Sequence, residues 1–286
     1  MKVLRLVLYP VGLLALLLLL ESSVGYAVRP LHGNLRAVVA LIAAGLVSTV
    51  MILAYRGIVR RFEHRSANEL ALDRSARSAP AGALLGALLF ASVYAVLGSL
   101  GVARAPVYHG AQAGTAIACA LSLMAAVGEE IVFRGALFRL LEEGFGTWLA
   151  LLVSALLFGL IHAMNPGATL TSTIAIALEA GALLGMAYVA SRTLWLPIGL
   201  HFGWNFTEGG ILGAAVSGYR FEGVWSVPLV GPNLITGGRF GPEASLVSVL
   251  LCLALAAAFA GWAVRRARWR ARSRSGAGAA EVGAPE

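Results

Sequence analysis

The sequence predicts an all-α polytopic membrane protein of about eight transmembrane helices enclosing an intramembrane polar cavity. Three observations carry this. Of the 286 residues, 59% are hydrophobic and 13% charged, against about 25% charged in soluble domains, and the mean hydropathy is +0.81. Apolar runs of membrane length recur along the chain, separated by charged, Gly-rich or Pro-rich stretches. The arginines behind the net charge of +8 sit in blocks beside those runs, a placement that orients a membrane protein and argues against nucleic-acid binding.

The first run, Val3–Leu20, follows Lys2 and Arg5 and is about long enough to span. Gly25-Tyr26-Ala27 is a weak cleavage signal, and the helix is read as retained. Arg36–Tyr55 is the second span. Residues 56–78 then carry Arg56, Arg60, Arg61, Arg65, Arg74 and Arg77 against Glu63, Glu69 and Asp73, so this loop is expected in the cytoplasm. Further spans are expected at about Ala81–Val102, from Ala111 into Glu129, and at Trp148–Ala163, Thr171–Ala190, Leu194–Val216 and Ala244–Val264. A Gly/Pro-rich stretch, 217–243, precedes the last of them, and Arg265–Arg274 with a Gly/Ala tail follows it.

Counted from the arginine loop, eight spans put both termini in the cytoplasm of a cell bounded by its plasma membrane, and the tail is expected to lack fixed structure. The organisation expected is an N-terminal segment 1–80 of two helices and a basic loop, a core 81–264, and a basic tail 265–286. The first two helices read as a more generic anchor and spans four to seven as the working core. The 34 glycines suit close helix approach in lipid. Cys119 and Cys252 lie inside apolar runs and read as packing residues. Zinc-type Cys clusters, P-loops, dinucleotide fingerprints, internal repeats and paired broken helices do not occur in the sequence.

The chemistry gathers around Gly128-Glu129-Glu130-Ile131-Val132-Phe133-Arg134, which follows the uncharged run Ala111–Val127. Adjacent carboxylates in such a place are costly unless used. Glu130 and Arg134, four apart, can pair on one helix face. Glu129, rotated by about 100°, has no built-in partner and is free to face a cavity. His162 lies one turn after Phe158, and His201 one turn before Asn205, each pair on its own span. Separate polar bridges could explain each group alone; one hydrated cavity explains Glu129, His162, His201 and Asn205 together. A Glu with a His suffices to activate water, and a His with an Asn can donate to an oxyanion. No Ser or Cys nucleophile adjoins either His. Glu129, His162 and His201 would alternatively suit zinc with an open position. Sequence leaves these two mechanisms open.

Glu129-Glu130-x-x-x-Arg134, Phe158-x-x-x-His162 and His201-x-x-x-Asn205, in this order on three helices, resemble the CPBP intramembrane proteases, which include the type II CAAX prenyl endopeptidases and the bacteriocin-processing and self-immunity proteins. Gly185-Met186-Ala187-Tyr188 through Leu196-Pro197-Ile198-Gly199-Leu200-His201 resembles the family's approach to its last His. The resemblance covers about residues 85–215. It implies an eight-helix fold with an intramembrane site, Glu129 and His162 activating water, His201 and Asn205 forming the oxyanion site, and Glu130 and Arg134 orienting them. The family has been labelled metalloprotease, whereas a metal-free glutamate mechanism is the better supported view of its CAAX branch.

Glu179 is an extra acid in the sixth span; pairing with an arginine such as Arg192 is expected over a place in the cavity with Phe158 and the substrate. Glu208 is expected at the cavity rim. Depth adds one more expectation. His162, some 15 residues into its span, lies about 22 Å from that span's start, so Glu129 can meet it only if the fourth helix runs on to about Leu141. The partners expected are membrane lipids and a peptide or protein substrate, without nucleic acid. Rival readings are a non-catalytic immunity or scaffold relative and a proton-coupled transporter.

Overall fold

The computed structural model describes residues 2–282, without the side chains of 2–3, 74–76 and 268–282. The side chains from Arg268 to Arg274 and all of residues 283–286 thus lie outside what is described. The chain is almost wholly helical: α1 Lys2–Val28, α2 Gly33–Glu63, α3 Leu72–Ser99, α4 Ala113–Glu130, α5 Arg139–Phe145, α6 Thr147–His162, α7 Leu170–Ile176, α8 Ala182–Ser191, α9 Trp195–Asn205, a short α10 Asn233–Thr236, and α11 Leu246–Val282. One two-stranded antiparallel ribbon, β1 Val107–Tyr108 with β2 Trp225–Ser226, ties the loop after α3 to the long loop before α11.

Three π-helical turns join these pieces: Ile131–Phe138 fuses α4 to α5, Ala177–Gly181 fuses α7 to α8, and Phe206–Ile211 extends α9. The fourth apolar helix is therefore one rod, Ala113–Phe145, which runs past Leu141 as the depth argument requires. Six helices are long and apolar enough to cross a membrane: Leu4–Val28, Gly33–Glu63, Arg77–Ser99, Ala113–Phe145, Leu170–Ser191 and Leu246–Ala267. The remaining two of the eight expected, Thr147–His162 and Trp195–Ile211, are shorter. At 1.5 Å per residue, 16 residues of α6 reach about 24 Å, below the ~30 Å hydrocarbon core. These short helices are the two that carry the histidines.

The surface is apolar where a bilayer would touch it. On α6, Leu149, Leu152, Leu156 and Leu160 are exposed while Ala150, Ser154, Phe158 and His162 are buried, the helical period divided between lipid and protein. The tightest packing joins α3 to α9 through small residues. A Cβ on Gly86 would lie 2.1 Å from the Leu200 carbonyl oxygen, and one on Gly203 would lie 2.0 Å from that of Ala83. Only glycine lets these backbones meet, and the contact fixes the height of α9.

At the arginine-loop end a buried polar network locks the bundle. Arg139 reaches Glu63 at 2.5 Å and Glu143 at 2.6 Å, and its Nε donates to the Gly135 carbonyl at 3.0 Å. The Tyr55 hydroxyl lies 2.8 Å from that same carbonyl and bonds Glu69, whose carboxylate also accepts from Arg65 at 3.0 Å. Arg192 pairs with Glu142 at 2.5 Å, so it is not the partner of Glu179. Leu17 of α1 packs on Gly128, where a Cβ would lie 2.3 Å from Leu17 Cδ1. Both N-terminal helices thus touch the rod that carries the two adjacent acids.

Candidate active site

The π turns sit where the chemistry is. A π turn widens the helix and frees backbone groups, which is why such turns recur at functional sites. The first begins directly after Glu130 and contains Arg134, the second contains Glu179, and the third follows Asn205 and contains Glu208. Arg134 satisfies carbonyls of the second: its Nη2 donates to Ala180 O at 3.0 Å and Gly181 O at 3.2 Å. Its Nη1 donates to Glu130 Oε1 at 2.7 Å. The i,i+4 ion pair read from sequence is present, with Glu130 0% and Arg134 1% exposed.

Glu130 has a second task. His201 Nδ1 lies 3.1 Å from the same Oε1. A carboxylate oxygen accepts, so Nδ1 carries the hydrogen and the ring of His201 is fixed in orientation. His162 is set differently: its Nδ1 lies 2.7 Å from the Phe158 carbonyl one turn back. A carbonyl can only accept, so neutral His162 is protonated on Nδ1 and presents the lone pair of Nε2. Phe158 is the hub between these groups. Its ring lies 4.6 Å from the Arg134 guanidinium carbon, 4.7 Å from the His162 ring and 6.3 Å from the His201 ring. Burying Arg134 over an aromatic face offsets part of its desolvation.

A narrow cavity opens between α6, α8, α9 and the loop before α11. It gathers Phe158, His162, His201 and Asn205, and with them Glu179, Ser217 and Glu243. The expectation that Glu179 pairs with an arginine is corrected here: Glu179 is 3% exposed, lines the cavity, and accepts from Cys252 Sγ at 3.3 Å. Cys252 is therefore more than a packing residue. Glu208 is corrected too. It is fully buried rather than at a rim, and Trp204 Nε1 donates to its Oε2 at 3.1 Å.

Glu129 is not among the residues lining this cavity. Its Oε2 is buried without a hydrogen-bond partner, and its carboxylate lies within electrostatic reach of His201 and Arg134. A further acid, Glu21 of α1, stands within its reach as well. Glu21 and Glu243 were not read from the sequence as site residues. Glu243 comes from a Gly/Pro-rich loop that gives no periodic signal, and the only clue was an acid at the mouth of an apolar run.

A zinc centre would need three donors converging about 2 Å from one point. Among the described residues no three His, Cys, Asp or Glu side chains are so grouped. Glu129, His162 and His201 do not fit a metal in this arrangement, and the metalloprotease label finds no support. No curated protein and no solved structure matches the chain. Residues 111–207 match the family model described as type II CAAX prenyl endopeptidase Rce1-like. The matched segment runs from the start of α4 past Asn205 and contains each of the three motifs. That match agrees with the CPBP resemblance of the three motifs and makes residues 111–207 similar to a CAAX-type protease domain.

Proposed function

We propose that this protein is an intramembrane endopeptidase in which Glu129 and His162 activate water and His201 with Asn205 hold the oxyanion. The carrying observation is the convergence of His162, His201 and Asn205 from two helices on one cavity inside the bundle, with His201 tied through Glu130 to Arg134. The core is taken as 81–264, and the two N-terminal helices and the basic tail as its membrane frame.

The chemistry follows from the ring orientations. Water hydrogen-bonded to the His162 Nε2 lone pair loses a proton to the His162–Glu129 pair as its oxygen bonds the scissile carbonyl carbon. The carbonyl π electrons move onto oxygen, where the Asn205 amide and His201 donate. His201 needs a hydrogen on Nε2 for this role, and Glu130 at Nδ1 is the counter-charge for such a cation. Collapse breaks the C–N bond, and the stored proton passes to the leaving amine. Water consumed equals one new carboxyl and one new amine, so the step balances without a covalent enzyme intermediate.

The substrate is a peptide presented from the membrane, and we place the protein in the plasma membrane with both termini cytoplasmic. The test is hydrolysis of a panel of membrane-anchored peptides, read by mass spectrometry, with purified full-length protein in detergent. Glu129→Ala and His162→Ala should each lose about 10²-fold or more. Cleavage by both variants at the wild-type rate would show that these residues are not the catalytic pair.

A further inference from the structure

Beside the two histidines the cavity has an acidic wall. Glu179 and Glu243 both line it, and they are 3% and 2% exposed. Behind them Glu208 has no exposed surface, and its side chain meets that of Glu243. These carboxyls come from three separate parts of the fold: the π turn between α7 and α8, the one after α9, and the loop entering α11. Among the described residues no arginine or lysine lines the cavity, and Arg134 is already held by Glu130 and two carbonyls.

The donors present do not satisfy the wall. The Ser217 backbone N–H donates to Glu243 Oε1 at 2.7 Å, Cys252 Sγ lies 3.3 Å from Glu179 Oε2, and Trp204 Nε1 donates to Glu208 Oε2. Glu208 Oε1 is buried without a hydrogen-bond partner of good geometry, and the side chain that adjoins it is the Glu243 carboxyl. Two buried carboxyls in contact need a proton or a cation between or beside them. A cavity that opens onto this wall gives a cation access to it.

We propose that Glu179 and Glu243, backed by Glu208, form a subsite for one cationic group of the substrate, a lysine or arginine side chain or a free ammonium, next to the His162–His201–Asn205 centre. The subsite names a substrate class for the proteolytic reading and rests on it for that purpose, while its binding of a cation can be read without catalysis. Trp204 lines the cavity and bonds Glu208, so its fluorescence reports there.

The experiment titrates full-length protein in detergent with hexylammonium chloride and, in parallel, with hexanol. Hexylammonium should give a saturable change in fluorescence that hexanol does not, that Trp204→Phe removes, and that Glu179→Gln or Glu243→Gln weakens at least tenfold with melting temperature retained. No saturable change with hexylammonium in wild type, or an equal one with hexanol, overturns the subsite whether or not the variants fold. It would leave the acids as a proton-sharing cluster only. Peptides carrying lysine or norleucine beside the cleaved bond supply the second arm. Wild type should favour lysine at least tenfold, and Glu179→Gln should lose that preference. Cleavage without a preference sinks the subsite and leaves the protease standing. Saturable ammonium binding without any cleavage keeps the subsite and sinks the protease.

Discussion

His201 Nδ1 and Arg134 Nη1 share one oxygen of Glu130, Oε1, at 3.1 and 2.7 Å. The carboxylate is therefore the joint between the first motif and the last. Its other oxygen, Oε2, and Arg134 Nε have no partner, so the pair depends on that single joint.

Glu130→Gln keeps the shape and removes the charge, stranding Arg134 at 1% exposure. Breaking a buried pair from one side costs about 3–5 kcal/mol, so unfolding in detergent should show a loss of that order. Glu130→Gln with Arg134→Met removes both charges and should cost less than Glu130→Gln alone. If the double variant is the less stable of the two, the ion pair is not what holds this joint.

A pH dependence follows at the arginine-loop end, outside the spans. Burial pushes the Glu69 carboxyl up, but hydrogen bonds from Arg65 and Tyr55 outweigh it and hold the group below its ordinary value of 4.5. A lowered value in the folded state means stability that is present above pH 4.5 and lost as pH falls through the lowered value. Wild type should therefore out-melt Glu69→Gln at neutral pH, with the gap closing below that range. A gap that stays constant down to the acid limit would contradict the assignment.

The rods of this fold were legible because apolar runs and charge blocks are properties of a single sequence window. So was the continuation of α4 past Glu129, which follows from rise per residue once Glu129 is required to reach the depth of His162. The π turns were not: the first two meet where Arg134 reaches across to Ala180 O and Gly181 O, a tertiary bond that no local propensity contains. The joint at Glu130 was half legible, since i,i+4 spacing announces Arg134 but says nothing of His201. Glu243 was hidden for a simpler reason. A loop residue is placed by the chain's path, and the path here is set by Gly218 N bonding Phe240 O and by the β1–β2 ribbon.

The α3–α9 contact sets the position of both His201 and Asn205. Gly203→Ala puts a methyl 2.0 Å from a backbone oxygen that cannot rotate away, so the helices must separate. Overpacking of this kind costs about 1–3 kcal/mol, and a shift near 1 Å at the site costs on the order of 10²-fold in rate. Gly98→Ala on the same α3 meets nothing within 4 Å and serves as the control, with melting and hydrolysis near wild type. Equal melting temperatures for the two variants would show that the close approach is not a constraint.

The last prediction concerns α2, whose Tyr55 is 1% exposed and stands between Glu69 and the Gly135 carbonyl beside Arg134. One hydroxyl carries one proton, so Tyr55 can donate to only one of these acceptors at a time, while Arg139 Nε supplies the carbonyl at 3.0 Å. Tyr55→Phe leaves Gly135 with Arg139 and Glu69 with Arg65, and it should cost about 1–3 kcal/mol, the range for a buried group that loses one partner. Arg139→Met removes the donor to Glu63, Glu143 and Gly135 together and strands buried charge, so it should cost more, about 3–5 kcal/mol. Unfolding of the two variants side by side in detergent gives the order. Should Tyr55→Phe prove the costlier, the hydroxyl rather than the guanidinium is what anchors the π turn behind Glu130.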